Sequence, residues 1–141
     1  MRKSIINNPL ISAFYFKNST PWEHRANFTN TQNSTGWHIL EVQTKEAAPD
    51  HLQAMAAGLA EGYLTRISII ELYKQLYYKG YRNCSLSRHE KFCYWLKDTF
   101  EKNKAFIEVK IEELSESEPY WHQVNLFYIQ AEGMKRGYQL R

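Results

Sequence analysis

A chain of 141 residues, 43% of them hydrophobic, is long enough for one buried core and too short for two comfortable domains. The net charge of +3 comes from Lys and Arg interleaved with Asp and Glu. That pattern argues against nucleic acid as a partner, since Lys135, Arg136 and Arg141 are too few to make a clustered basic face. No apolar run approaches the roughly 20 residues of a membrane-spanning helix, and Asn7-Asn8-Pro9 interrupts the apolar part of what Met1-Arg2-Lys3 begins like a signal peptide.

In chain order, residues 1–12 read as a loose entry. Phe14, Tyr15 and Phe16 favour a short strand over Ala13 to Lys17. Asn18 to Trp22, with Pro21, is turn-like. Glu23 to Thr29 is a second strand, joined by the polar turn Asn30 to Thr35 to a third over Gly36 to Thr44 as an antiparallel hairpin. Along Trp37 to Val42 bulky residues alternate onto both sides, the pattern of a sheet covered on both faces.

After a break at Lys45 to Asp50 the chain turns helical. Asp50 is the expected cap of a first helix ending near Tyr63, in which Ala54, Ala57 and Gly58 crowd one side with small side chains and permit a close neighbour. A second helix starts at Thr65 or Ser68, with Ser68 and Glu71 as a capping box, and ends at Gly80. Ser87 with Glu90 opens a third, which carries Phe92, Trp95, Leu96 and Phe100 inward. A fourth runs from Lys104 to Leu114 on Ile107, Ile111 and Leu114. The last follows Pro119, with Tyr120, Val124, Phe127, Ala131, Met134 and Tyr138 on one stripe.

Short antiparallel strands followed by about five helices make an α+β fold. The chain reads as a single partial domain over 1–141, with strands and loops over 1–44 and a helical part over 50–138. So small a sheet cannot cover five helices with wide apolar faces, so the expected sheet is completed by residues outside this chain.

Candidate chemistry is sparse. Asn18, Asn27, Asn33 and Asn83 head Asn-x-Ser/Thr tripeptides, candidate N-glycosylation acceptors that point to the secretory pathway. An even pair of cysteines beside such signals favours a Cys84–Cys93 disulfide; two free thiols in a reduced compartment is the alternative. Cys84, Cys93 and His89 lack a fourth ligand and standard metal spacing. None of the five histidines stands at a dyad spacing from an acid, and His38, inside a strand, reads as a satisfied interior group. Glu41, also inside a strand, would need a partner if buried. Gly58, Gly62 and Gly133 read as packing glycines, and no cofactor-binding pattern is present.

Three stretches resemble the phospholipase B-like family, whose members have an N-terminal-nucleophile hydrolase fold. They are Thr35-Gly36-Trp37 with Ile39-Leu40-Glu41-Val42, Ala57-Gly58-Leu59 with Glu61-Gly62-Tyr63-Leu64-Thr65, and Tyr120-Trp121-His122-Gln123-Val124 with Gln130-Ala131-Glu132-Gly133-Met134. The resemblance implies part of a helix-sheet-sheet-helix sandwich in a lysosomal or secreted hydrolase of amide or ester bonds, with lipids a candidate substrate. It implies a short-range disulfide near Cys84 and Cys93. It implies self-cleavage before a nucleophilic cysteine, whose new amine then acts as base; that cysteine is expected beyond Arg141. Cys84-Ser85-Leu86 superficially looks like the nucleophile's context but lies upstream of Trp121, the wrong order for the family. This segment would supply scaffold and no catalytic residue, with the remainder of the precursor as its partner. The alternative is a truncated, non-catalytic relative acting as a helical binding module.

Overall fold

The computed structural model describes residues 5–8, 11–17, 23–76 and 90–140, the first two strands through their backbone. Four antiparallel strands form one sheet in sequential order: β1 (Ile5–Asn8), β2 (Ile11–Lys17), β3 (Glu23–Asn30) and β4 (His38–Gln43). The expected strand at Ala13 to Lys17 is therefore longer at its start, and the segment read as a loose entry contains a further strand, in the register Ile5↔Phe14 to Asn8↔Ile11. The isoleucines at positions 5, 6 and 11 carry that pairing tendency.

The β3–β4 hairpin forms as its pattern predicts, from Arg25↔Gln43 to Asn30↔His38. Its connection holds a one-turn helix, α1 (Gln32–Thr35), closed by Gly36 at φ +81°, a conformation that a side chain would strain. Helix α2 (Asp50–Leu64) begins directly after Pro49, so Asp50 is its first residue and not its cap. There the carboxylate sits where the helix dipole favours negative charge. Helix α3 (Arg66–Leu76) follows after Thr65 alone, which leaves Ser68 inside the helix and removes the expected capping box. The expected helix end at Gly80 and the cap at Ser87 lie outside the described residues.

Helix α4 (Glu90–Leu114) is continuous where two helices were expected. No Pro or Gly interrupts 90–114, and the ion pairs Lys97–Glu101, Lys102–Asp98 and Lys104–Glu108 stitch its solvent face across the expected break. Helix α5 (Pro119–Gln139) starts at Pro119 as expected.

The chain forms two compact units. One comprises Met1–Arg66 with Leu126–Arg141, the other Ile67–Asn125. In the first, α2 packs on β2, β3 and β4. Its centre is made of small side chains: Ala26 of β3 and Ala60 of α2 touch, with Tyr63, Leu64 and Leu140 around them. Alanine against alanine brings the helix backbone close to the sheet. In β3 and β4 the residues on the α2 side are His24, Ala26, Phe28, His38, Leu40 and Val42, and those on the other side are Arg25, Asn27, Thr29, Ile39, Glu41 and Gln43. Trp37, just before β4, is 75% exposed and Ile39 is 51% exposed, so the described residues do not cover the second face that the alternation in β4 led us to expect covered.

In the second unit, backbone bonds from Ser115, Ser117 and Glu118 to the last turn of α4 close the connection to α5, and Phe106 meets Trp121 edge-on with ring centroids 6.3 Å apart. Phe92, Trp95 and Phe100, expected to point inward from α4, are exposed.

Candidate functional site

The most specifically built feature is the crossing of α2 with the second half of α5. Gly58 and Gly62 lie one turn apart on one face of α2, Gly133 and Gly137 likewise on α5, and all four are buried. Each faces the other helix's backbone. A Cβ on Gly58 would meet the Gln130 carbonyl and approach Met134 N to 2.8 Å; one on Gly62 would meet the Met134 carbonyl. From the other side, a Cβ on Gly133 would stand 2.6 Å from the Met55 carbonyl oxygen, and one on Gly137 would strike the carbonyl of Leu59. Sequence reading identifies Gly58, Gly62 and Gly133 as packing glycines, and that is where they are. It misses Gly137, whose only signal was its four-residue spacing from Gly133.

Polar pins flank the crossing. The Gln130 side-chain amide donates to the Glu61 carboxylate at 3.3 Å, and the Arg66 guanidinium donates to the Leu140 carbonyl at 3.1 Å. At the other end of α2, Thr44 Oγ1 donates to Gln53 Oε1 at 2.6 Å, while Gln53 Nε2 donates to the Ala48 carbonyl at 2.7 Å. These two bonds orient α2 on the end of β4. The three stretches that resemble a known family thus converge: the first runs along β4, the second along the α2 face that rides on the sheet and the crossing, and the end of the third supplies Gln130, Gly133 and Met134 to that crossing.

Among the described residues the titratable groups do not assemble into a catalytic set. Burial lowers the pKa of His24 from its ordinary value, and its Nδ1 has no hydrogen-bond partner. Nδ1 of His38 is likewise buried and without a partner, its ring 5.3 Å from that of Phe28. The expectation of a satisfied interior histidine therefore fails at this atom. Glu41 lies exposed on the outer side of β4 and needs no buried partner. On α5, a hydrogen bond from Arg136 and the charge of Lys135 hold the Glu132 carboxyl below its usual range, an exposed surface pairing.

Among the described residues no three His, Cys, Asp or Glu side chains stand together as metal ligands. A crevice of about 250 Å³ at the α4–α5 connection is lined by Ser115, Glu116, Ser117, Glu118 and His122 and by no cysteine. Cys93 is disulfide-bonded; Cys84, its expected partner, lies outside the described residues, as do Asn18, Asn83 and His89. Asn27 sits half-buried in the middle of β3, and Asn33 stands exposed on α1.

Fold and packing thus define an α+β scaffold in which α2 rides on an antiparallel sheet and is crossed, glycine against backbone, by α5. The family model for Phospholipase B matches residues 24–141, and the chain belongs to that family. It is 39% identical over 107 residues to a phospholipase B-like lamina ancestor of Drosophila melanogaster, covering 74% of this chain and 15% of the relative. It is 34% identical over 117 residues to phospholipase B-like 3 of Caenorhabditis elegans, covering 81% and 19%. To phospholipase B-like 2 of Homo sapiens it is 34% identical over 122 residues, covering 82% and 19%. The chain therefore spans less than a fifth of the length of these relatives.

Proposed function

We propose that this chain is scaffold for a phospholipase B-like thiol hydrolase of ester or amide bonds, with lipids the candidate substrate class. The nucleophilic cysteine comes from outside residues 1–141, where self-cleavage would free its amine to act as base. The protein would work in the lysosome or outside the cell, with the rest of the precursor as partner. One observation carries the reading: the family match runs across 24–141 while the described cysteine, Cys93, is held in a disulfide and has no thiolate to offer.

The test assays a phospholipid and an N-acyl amide with two proteins: the 141-residue chain and the complete product of its gene. Turnover is expected only from a product that contains the additional cysteine, and alkylation should abolish it. Turnover by the 141-residue chain that disappears in Cys84→Ala would instead make Cys84 the nucleophile.

A second reading is favoured by Phe92, Trp95 and Phe100 standing exposed on α4: a non-catalytic helical interaction module. A gene product of 141 residues that folds as a stable monomer and hydrolyses neither substrate would support it.

A further inference from the structure

Helix α4 changes character along its length. In its second half Ile107, Ile111 and Leu114 are half-buried, and Phe106 meets Trp121 of α5. In its first half Phe92, Trp95 and Phe100 stand exposed, with the rings of Phe92 and Trp95 6.0 Å apart. At about 100° per residue, Phe92, Trp95, Leu96, Thr99 and Phe100 fall within less than half of the helix circumference. Thr99 belongs with the apolar side, because its hydroxyl donates to the Trp95 carbonyl at 2.8 Å and is satisfied within the helix. Asn103 ends that side.

The charges are distributed just as unevenly. Lys91 and Lys102 border the apolar side along one edge, and Lys97 and Lys104 along the other. Glu90, Asp98 and Glu101 occupy the middle of the opposite side, together with Tyr94. The exposed Lys97, Lys102 and Lys104 pair with Glu101, Asp98 and Glu108 on the same helix. Such exposed pairs are weak enough to be exchanged for another anion.

From this arrangement we infer that the first half of α4, over 90–104, is a docking face for a membrane surface that carries anionic phospholipid. The aromatic rings enter the boundary between headgroups and acyl chains. The lysine stems lie along the edges of the apolar side and carry their ammonium groups out to the lipid phosphates, while the acids face away. No described helix is long and apolar enough to cross a membrane; α4 lies along the surface. The charge pattern selects lipid over a second copy of this chain. A second copy on this face sets lysine against lysine along both edges, so charge opposes association through the same aromatics, whereas a layer of phosphates offers the opposite sign. The inference stands apart from the hydrolase reading, since a surface can be bound without being cleaved.

The test floats the 141-residue chain with vesicles of ether-linked phosphatidylcholine, alone or mixed with ether-linked phosphatidylglycerol. Ether lipids have no ester to cleave, so binding is read apart from hydrolysis. The chain is expected to float with the mixed vesicles, less so as salt is raised, and less with phosphatidylcholine alone. Phe92→Ser with Trp95→Ser should weaken flotation by about tenfold or more. Trp95→Phe should keep flotation but lose part of the fluorescence quenching by brominated acyl chains. Lys97→Gln with Lys102→Gln, at exposed positions that leave the fold intact, should remove the preference for the mixed vesicles. Phe127→Ser, which removes an exposed aromatic of α5, should change nothing. No flotation with either vesicle, undiminished flotation of the Phe92→Ser, Trp95→Ser variant, or an equal loss in Phe127→Ser overturns the inference. So does a sedimenting mass that rises with protein concentration and is unchanged by vesicles, which would give this face to a second copy.

Discussion

Nδ1 of His24 is buried without a hydrogen-bond partner, and burial disfavours the charged form of its ring in the fold. Because the folded pKa lies below the ordinary 6.5, the unfolded chain binds the extra proton first as pH falls. The stability owed to a neutral His24 is therefore complete above about pH 6.5 and is lost progressively below it. Melting temperatures at pH 7.5 and 5.5 should show a larger acid-side drop for the wild type than for His24→Gln, which cannot take up the proton; equal drops would contradict the assignment. At Cys93 the expected partner is Cys84. Intact mass under non-reducing conditions should lie about two hydrogens below that of the reduced chain, and two alkylatable thiols in protein from an oxidising compartment would exclude the bond. Neither histidine's missing partner was readable from residue order, because it depends on which groups from elsewhere in the chain fold over the sheet. The Cys84–Cys93 pairing is an expectation from count and spacing, which need no tertiary information, and Cys84 lies outside the described residues.

At the scale of elements, the α2–α5 crossing is the sharpest test of the packing. In an ordinary helix interior, Gly→Ala stabilises by roughly 1 kcal/mol through helix propensity. At Gly58 and Gly62 the new methyl would instead strike the backbone of α5, which cannot swing aside as a side-chain tip can. Gly58→Ala and Gly62→Ala should each destabilise by about 1–3 kcal/mol, the usual cost of overpacking, read as a lower urea midpoint at unchanged slope. A raised midpoint would show that the helices do not cross this closely. By contrast, breaking Lys104–Glu108 with Lys104→Ala should change stability by less than about 0.5 kcal/mol, since the pair is exposed and lies on one helix.

From Asp50 onward the helical character was legible, though neither the one-turn α1 nor the continuity of α4 was, because apolar spacing and the position of Pro119 are local signals. The inward face of α5 was only partly legible. The apolar stripe pointed to Tyr120 and Phe127, yet Phe127 is 68% exposed and the fully buried positions are Gly133 and Gly137. Stripe reading favours large side chains, whereas a close crossing selects the smallest.

At the scale of the whole molecule, the second unit leaves Ile67, Leu72 and Leu76 of α3 and Phe92, Trp95 and Phe100 of α4 exposed. Isolated apolar residues are normal on a surface, but so many aromatics on neighbouring turns of a single helix make a patch that water tolerates poorly. The 141-residue chain should therefore self-associate, with sedimenting mass rising with concentration, and Phe92→Ser with Trp95→Ser should shift it toward monomer. A wild type monomeric at every concentration would mean these side chains find cover that their exposure does not reveal.

Residue order alone determined the α+β class, the β3–β4 hairpin, the start of α5, three of the four crossing glycines and the family, because each is written in local spacing or in a short wording of residues. Only the tertiary structure decided that α4 is unbroken, that Glu41 and Trp37 face outward and that Gly137 completes the crossing. Those outcomes depend on which segments far apart in sequence come within backbone contact, and the periodicity of one segment carries no information about the shape of the segment it will meet.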